Sequence, residues 1–145
     1  MDSLKKKVPI AALLCFLLLI GTSCRFGKQK SYEGTFDVPA LIGKSIDEVR
    51  KVLGKPLENP PDPSKPQKGH FENLYDKQGQ YLSIYFDPNT RKIESFNIVS
   101  SIGYDSVKDV LKIGNLDFKN TNEYSIEPGE RYFSDTYKGV TIHLK

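Results

Sequence analysis

The sequence has no tryptophan and, among its 145 residues, only one methionine, two histidines and two cysteines. Both cysteines, Cys15 and Cys24, lie near the N-terminus, so the rest of the chain has no thiol for a disulfide or a metal. The histidines, His70 and His143, are too few for a zinc site, which takes three or four ligands. We therefore expect a fold held by its own hydrophobic core, with no disulfide, no metal and no cofactor.

The sequence also has no large excess of positive or negative charge. The chain holds 21 Lys and Arg against 18 Asp and Glu. Leaving out the first 23 residues removes Asp2 and the three lysines at positions 5–7, so the net charge falls from +3 to +1. A protein that neutralises many phosphates needs a broad basic surface. The charge pattern therefore predicts no binding to nucleic acid.

The one long apolar run covers residues 8–20 and follows the three lysines at positions 5–7. It falls short of the roughly 20 apolar residues that cross about 30 Å of hydrocarbon. Small residues at 21–23 come next. A basic segment, a short apolar segment and small residues together predict a signal peptide over residues 1–23.

The residues Gly21, Thr22 and Ser23 directly precede Cys24, and this arrangement resembles the lipobox of bacterial lipoproteins. The resemblance implies that Cys24 carries a lipid, becomes the mature N-terminus and anchors the protein to the cell envelope, on its periplasmic or outer face. The usual motif has Leu three places before the cysteine, where this chain has Gly21. A secreted protein cut near the same place, or an uncleaved short anchor, are the alternatives.

The remaining chain predicts a flexible tether over residues 24–37 and a single domain over 38–145. A helix begins after Gly43, because Ser45 suits the N-cap and Glu48 lies three residues later, as in a capping box. Gly54 ends this helix. Four prolines between positions 59 and 69 then predict a long extended loop.

Strands are predicted at 71–75, 81–86 and 92–99, and a second helix runs from 104 or 105 to 112. Further strands are predicted at 123–126, 131–133 and 140–144. The sequence thus predicts an α+β fold, with one or two helices packed on an antiparallel sheet of five or six strands. The two helices end similarly, about sixty residues apart, which leaves open a duplication of a helix-plus-hairpin unit.

A family resemblance begins in the first helix. Gly43, Ser45, Glu48 with Val49, and the Leu-Gly-Lys-Pro segment at 53–56, followed by a meander, resemble the small lipoprotein of the outer-membrane β-barrel assembly machine. The β-lactamase inhibitor protein is similar in architecture. These proteins lay helices on an antiparallel sheet and act through protein contacts. The resemblance implies a non-enzymatic protein that binds an envelope protein, as an assembly accessory or an inhibitor.

A second resemblance concerns the residues just before this helix. Val38 and Pro39, with Leu41 and Gly43, resemble the opening of a PASTA module, an extracellular domain associated with cell-wall fragments. It implies a module that binds cell-wall glycan or peptide. The Gly-x-Val and Gln-x-Pro patterns of that module do not follow Gly54.

Catalytic chemistry has little support in the sequence. There is no Gly-x-Ser-x-Gly elbow, and His70 and His143 are expected to face solvent. Asp87 and Asn89 indicate a turn, because a calcium loop would need an acidic residue at the position of Ile98. We predict that the chain is not an enzyme. A small hydrolase that pairs a serine with a histidine is the third hypothesis.

Tyrosine is abundant, with eight residues, and its ring and hydroxyl suit protein interfaces. Alternation along 81–86 places two tyrosines on one face of a strand and its apolar residues on the other. The hypothesised interaction face comprises Tyr81, Ser83, Tyr85, Tyr132 and Tyr137. The alternative is that a helix or the terminal strands cover this face and make it part of the core.

Overall fold

The computed structural model describes residues 32–57, 71–131 and 135–145. These residues form two helices and one five-stranded sheet. The elements in chain order are α1 (Ile46–Leu53), β1 (Phe71–Lys77), β2 (Gln80–Phe86), β3 (Ile93–Tyr104), α2 (Val107–Ile113), β4 (Tyr124–Pro128) and β5 (Tyr137–Leu144). The sheet order is β1-β2-β3-β5-β4, and every neighbouring pair is antiparallel. The predicted α+β fold is confirmed.

The compact unit begins at Tyr32, six residues before the predicted start of the domain. Phe36 is 1% exposed, and its N–H donates to the carbonyl of Ile113 at 2.9 Å. The tether predicted over 24–37 therefore ends too late, because residues 32–37 belong to the compact unit. Burial of the aromatic Phe36 side chain places this part of the segment against the core. Cys24 and the signal peptide lie outside the described residues.

The cap of α1 is as predicted. Ser45 Oγ accepts from the N–H of Glu48 at 3.3 Å, and Glu48 Oε2 accepts from the N–H of Ser45 at 2.8 Å. This reciprocal pair satisfies two backbone donors that a helix start leaves free. Gly54 follows the helix with a positive φ of 86°.

The second helix begins later than predicted. The N-cap of α2 is Ser106, whose Oγ accepts from the N–H of Asp109 at 3.3 Å. Residue 104 belongs to β3 instead, because Tyr104 pairs with Tyr137 of β5. Helix periodicity assigns Tyr104 to the helix, but its long-range pairing with Tyr137 makes it part of the strand.

One face of the sheet carries both helices. Alternate residues of the strands, such as Ile84, Phe96 and Ile142, are fully buried in one cluster with Ile46 of α1 and Leu111 of α2. Successive strand residues point to opposite faces. The other set of strand residues therefore points away from both helices, and we name that side the open face.

Some predictions fall on residues that the structure leaves out. The proline loop and His70 lie outside the described residues, and so does most of the strand predicted at 131–133. Arg131 forms an isolated bridge with Tyr137. No helix among the described residues is long and apolar enough to cross a membrane.

Candidate functional site

The open face has two tyrosines on β2, the strand next to the β1 edge of the sheet. Tyr81 and Tyr85 of β2 are half-buried, and Ser83 between them is only 6% exposed. The residues on the other side of the same strand include Leu82 and Ile84, which are fully buried. Neither described helix covers the tyrosines, since both helices pack on the side of Leu82 and Ile84. The two rings therefore stand on an accessible surface with a small polar residue between them.

Each tyrosine has a carboxylate directly across from it on β1. In the antiparallel register Tyr85 pairs with Glu72, and Tyr81 pairs with Asp76. Directly opposed residues of neighbouring strands have Cβ atoms about 5 Å apart and point to the same face. The edge of the open face along β1 and β2 therefore carries two tyrosine–carboxylate pairs, one at each end.

The environment of Tyr85 differs from that of a free tyrosine. Partial burial of the ring raises the pKa of its hydroxyl, and the charge of Glu72 and a hydrogen bond to that carboxylate raise it further. All three effects disfavour the charged phenolate form of Tyr85. Tyr85 therefore stays a protonated hydrogen-bond donor beside the carboxyl group of Glu72.

The carboxylate of Asp76 is held by the turn that follows β1. Its Oδ1 accepts from the N–H of Gly79 at 3.0 Å. The turn itself is a two-residue loop in which Gln78 and Gly79 both have positive φ, 58° and 75°. Such turns match the twist of an antiparallel hairpin. The hairpin therefore fixes where the Asp76 charge lies relative to Tyr81.

The described strand residues of the open face include no lysine or arginine. Their charged groups are the carboxylates of Glu72, Asp76 and Glu127, together with His143. The Glu94 carboxylate, at a register irregularity of β3, borders the same face beside Tyr85 and His143. The cations of the strands lie on the helix side, where the Lys77 ammonium sits 5.1 Å from the centre of the Phe36 ring. The open face is therefore acidic although the whole chain has a net positive charge.

His143 lies on the open face toward its other edge. Its Nε2 is 2.7 Å from Glu127 Oε2, and the residues opposite it on the two neighbouring strands are Ser95 and Ser125. The structure thus places Ser95, Ser125 and Glu127 beside His143 on the open face. A serine nucleophile would also need donors that stabilise an oxyanion.

A cavity of about 400 Å³ opens beside this histidine. It is lined by Tyr85, Glu94, Ser95 and His143. The cavity joins one of the tyrosine–carboxylate pairs to the histidine edge of the face. Among the described residues, no group of three or more Asp, Glu, His or Cys side chains is placed to hold a metal ion.

Tyr137 does not join the pair on β2. Its ring packs in part against the hydrophobic core, and the Arg131 guanidinium lies 4.9 Å from the ring centre. Arg131 Nε also donates to the Tyr137 hydroxyl at 2.9 Å. Tyr137 shares a cavity with Val107 and the exposed Phe118 near the start of α2. Tyr132 lies outside the described residues.

Sequence reasoning did not detect a larger groove of about 680 Å³ beside the start of α1. Its apolar part comes from Ile42, Ile93 and Leu144, and Lys44 and Lys92 are among its polar lining. These residues lie in segments separated by about fifty positions each. No local pattern marks such a groove, because it exists only after the segments pack together.

The outer edge of β4 is closed. Its outward N–H at Ile126 donates to Asn120 Oδ1 at 2.8 Å, and the carbonyl of Tyr124 accepts from the N–H of Thr121 at 2.9 Å. Native sheets protect edges in this way against pairing with another strand. Recognition by strand addition is therefore blocked at this edge.

The protein is thus an α+β domain with its helices on one face of the sheet and an acidic, tyrosine-bearing face on the other. No protein family, curated protein or solved structure matches this chain. The functional argument accordingly rests on the residues of the open face.

Proposed function

We propose that this chain is a non-enzymatic lipoprotein of the bacterial cell envelope that binds another envelope protein through the open face, as an assembly accessory or an inhibitor. One observation carries the proposal: Tyr81 and Tyr85 lie half-exposed on a sheet face that neither described helix covers. Two aromatic rings on one side of one strand give a partner a shared contact surface.

The composition of the open face suits a protein interface. Tyrosine gives a large contact area with little loss of conformational entropy, and its hydroxyl accepts water or a partner group. The residues around the two rings, Ser83, Asn97 and Thr141, are small and polar and lie in one row of the sheet register. They keep the surface flat between the rings and offer hydrogen bonds to a partner.

The lipid on Cys24 supplies the anchor in this proposal. The compact unit begins at Tyr32, so seven residues separate it from the lipidated cysteine. A spacer of that length spans at most about 25 Å when fully extended, so the lipid would hold the domain close to the membrane. The partner is therefore expected to be a membrane protein or a protein held close to the membrane surface.

The test is an affinity pull-down of the tagged full-length protein from crosslinked envelopes of its own host, read by mass spectrometry. We compare the wild type with a Tyr81→Ala and Tyr85→Ala double variant. Phe118→Ala is the matched control, because Phe118 is an aromatic residue 51% exposed away from the open face. The double variant should lose one dominant protein partner that the control retains.

Two other readouts complete the test. Cys24→Ala should abolish incorporation of labelled fatty acid and release the protein from membranes.

Sedimentation with purified peptidoglycan tests the cell-wall hypothesis. If the protein pellets in a way that depends on Tyr81 and Tyr85, and no protein partner is found, the open face binds glycan or peptide instead of a protein. Retention of the protein partner by the double variant would refute the open face as the site.

A further inference from the structure

The chemistry of the open face indicates what its partner must present. We infer that the tyrosine–carboxylate pairs Tyr81–Asp76 and Tyr85–Glu72 are two acceptor sites for lysine or arginine side chains, and that the partner protein presents a basic, extended segment. This inference deepens the proposed function and rests on it. It specifies the class of partner from charge and spacing.

Each pair combines two groups that attract a cation. The face of a tyrosine ring attracts an ammonium or guanidinium through its quadrupole, and a carboxylate beside it adds a charge-assisted hydrogen bond. In this structure, each ring has its carboxylate directly opposite in the β1–β2 register. Both sites therefore consist of a tyrosine of β2 and the acidic residue opposite it on β1.

The same chain already places cations on aromatic rings elsewhere. The Arg50 and Arg91 guanidinium groups lie 5.5 and 5.2 Å from the centre of the Phe86 ring, and both bind the carboxylate of Asp47. There, the chain itself supplies aromatic ring, carboxylate and cation on the helix side. On the open face, the strands supply the ring and the carboxylate, and no described strand residue supplies a lysine or arginine.

The spacing of the sites specifies the geometry of the partner. Tyr81 and Tyr85 are four residues apart on one strand, which corresponds to about 13 Å at 3.3 Å per residue. An extended segment that lies along β2 has the same rise, so its side chains at i and i+4 reach both sites. Its i+2 side chain then meets the shallow region formed by Ser83 and Leu74, which pair between the two sites. Lysine or arginine at i and i+4, with a small or apolar residue between them, is the matching pattern.

The charge of the whole face also favours this partner over an anionic one. Glu72, Asp76 and Glu127 repel phosphate-rich or carboxylate-rich polymers, and like charges brought together at an interface are unfavourable. A basic segment is attracted over the Debye length, about 8 Å at physiological ionic strength. The binding is therefore expected to weaken as salt concentration rises.

The experiment measures the binding of fluorescein-labelled peptides to the full-length protein in neutral detergent, by fluorescence anisotropy. Two nine-residue peptides have one composition of Thr, Val and two Lys. In the first, the lysines are four positions apart, and in the second they are three apart, so that they point to opposite sides of an extended chain. A third peptide carries Glu in place of Lys at the four-residue spacing.

We expect the first peptide to bind at least about fivefold tighter than the second, because only its two lysines can occupy both sites at once. Occupation of each site is expected to raise the affinity by a few-fold. The peptide with Glu should not bind. Glu72→Gln with Asp76→Asn should weaken the first peptide by about tenfold, since the variant keeps the shape of both side chains and removes both charges. Asn at position 76 can still accept from the N–H of Gly79.

The matched control is Asp117→Asn with Glu123→Gln, which makes the same change in net charge at two exposed positions outside the open face. It should leave the affinity within twofold. Equal binding of the two lysine peptides, equal weakening by both double variants, or no binding of any basic peptide at millimolar concentration would each overturn the inference.

The outcome also separates this inference from the proposed function. In the envelope pull-down, a partner that is lost with Tyr81→Ala and Tyr85→Ala but retained with Glu72→Gln and Asp76→Asn would leave protein binding standing. The basic-segment inference would then be refuted alone. Loss of the partner with both double variants supports the two together.

Discussion

Arg91 and Asp47 form a two-point ion pair between the turn after β2 and the first turn of α1. Arg91 Nη2 lies 2.7 Å from Asp47 Oδ1, and Arg91 Nε lies 3.1 Å from Oδ2. Arg50 Nη1 approaches the same carboxylate at 3.2 Å. The pair therefore joins two segments 44 residues apart and connects the helix to the sheet that it covers.

This relationship predicts how stability depends on pH. The hydrogen bond from Arg91 lowers the pKa of Asp47, partial burial opposes this, and the Arg91, Arg50 and Lys51 charges lower it further. A lowered pKa in the folded state means that the contribution is complete above the ordinary unfolded value, about 3.9, and disappears as pH falls through the folded value. The Asp47 side chain is 53% exposed, so solvent screening limits the contribution to about 1 kcal/mol.

Asp47→Asn should therefore lower the free energy of unfolding by about 0.5–1 kcal/mol at pH 7. The difference between variant and wild type should shrink toward zero as pH falls through the lowered folded-state pKa of Asp47. Urea unfolding, followed by circular dichroism from pH 2.5 to 7, measures both curves. A difference that stays constant over this range would show that the lost contribution is not the ionised carboxylate.

A second prediction concerns the hairpin turn between β1 and β2. Gly79→Ala should lower the free energy of unfolding by about 1–2 kcal/mol, because φ at this position is 75° and a Cβ is unfavourable there. The added Cβ would also lie 2.8 Å from Ser101 Oγ, which can rotate away. Chemical denaturation measures the change.

The matched variant for this turn is Gln78→Gly. Position 78 also has a positive φ, 58°, but it carries a side chain already. Glycine removes that strain and adds freedom to the unfolded chain, so the net change should be smaller than that of Gly79→Ala. A larger loss with Gln78→Gly would contradict the backbone explanation of this turn.

A third prediction uses two phenylalanines as a matched pair. Phe96 is fully buried in β3, and Phe118 is 51% exposed. Phe96→Ala should cost about 3–5 kcal/mol through lost burial and the cavity left behind, and Phe118→Ala should stay within about 0.5 kcal/mol. Thermal or urea unfolding compares them. Similar losses at both positions would mean that the core does not lie where the sheet places it.

The local elements of this fold follow from short-range patterns. The capping box of Ser45 and Glu48 predicts where α1 begins, and Gly54 predicts where it ends, because these contacts span only a few residues. Alternation along β2 predicts that Tyr81 and Tyr85 share a face, because successive residues of a strand point to opposite sides. Each of these features is encoded within a single turn or strand.

The remaining features depend on residues that are distant in the sequence. Phe36 is drawn into the core by α2, and Tyr104 extends β3 because it pairs with Tyr137. The sequence pattern also does not predict how charge is distributed between the two faces of the sheet, since this depends on which face the helices cover. Composition shows a nearly neutral chain, but the register collects Glu72 and Asp76 beside two tyrosines.

By itself, the sequence determined the fold class, the caps of α1 and the alternation of β2, because local backbone preferences and the burial of apolar side chains are sufficient for them. Only the tertiary structure decided that neither described helix covers the tyrosine side, that Tyr137 packs elsewhere and that positions 81 and 85 each pair with an acidic residue across the β1–β2 register. The reason is physical: strand register and helix docking are set by contacts between segments tens of residues apart, and no local pattern contains them.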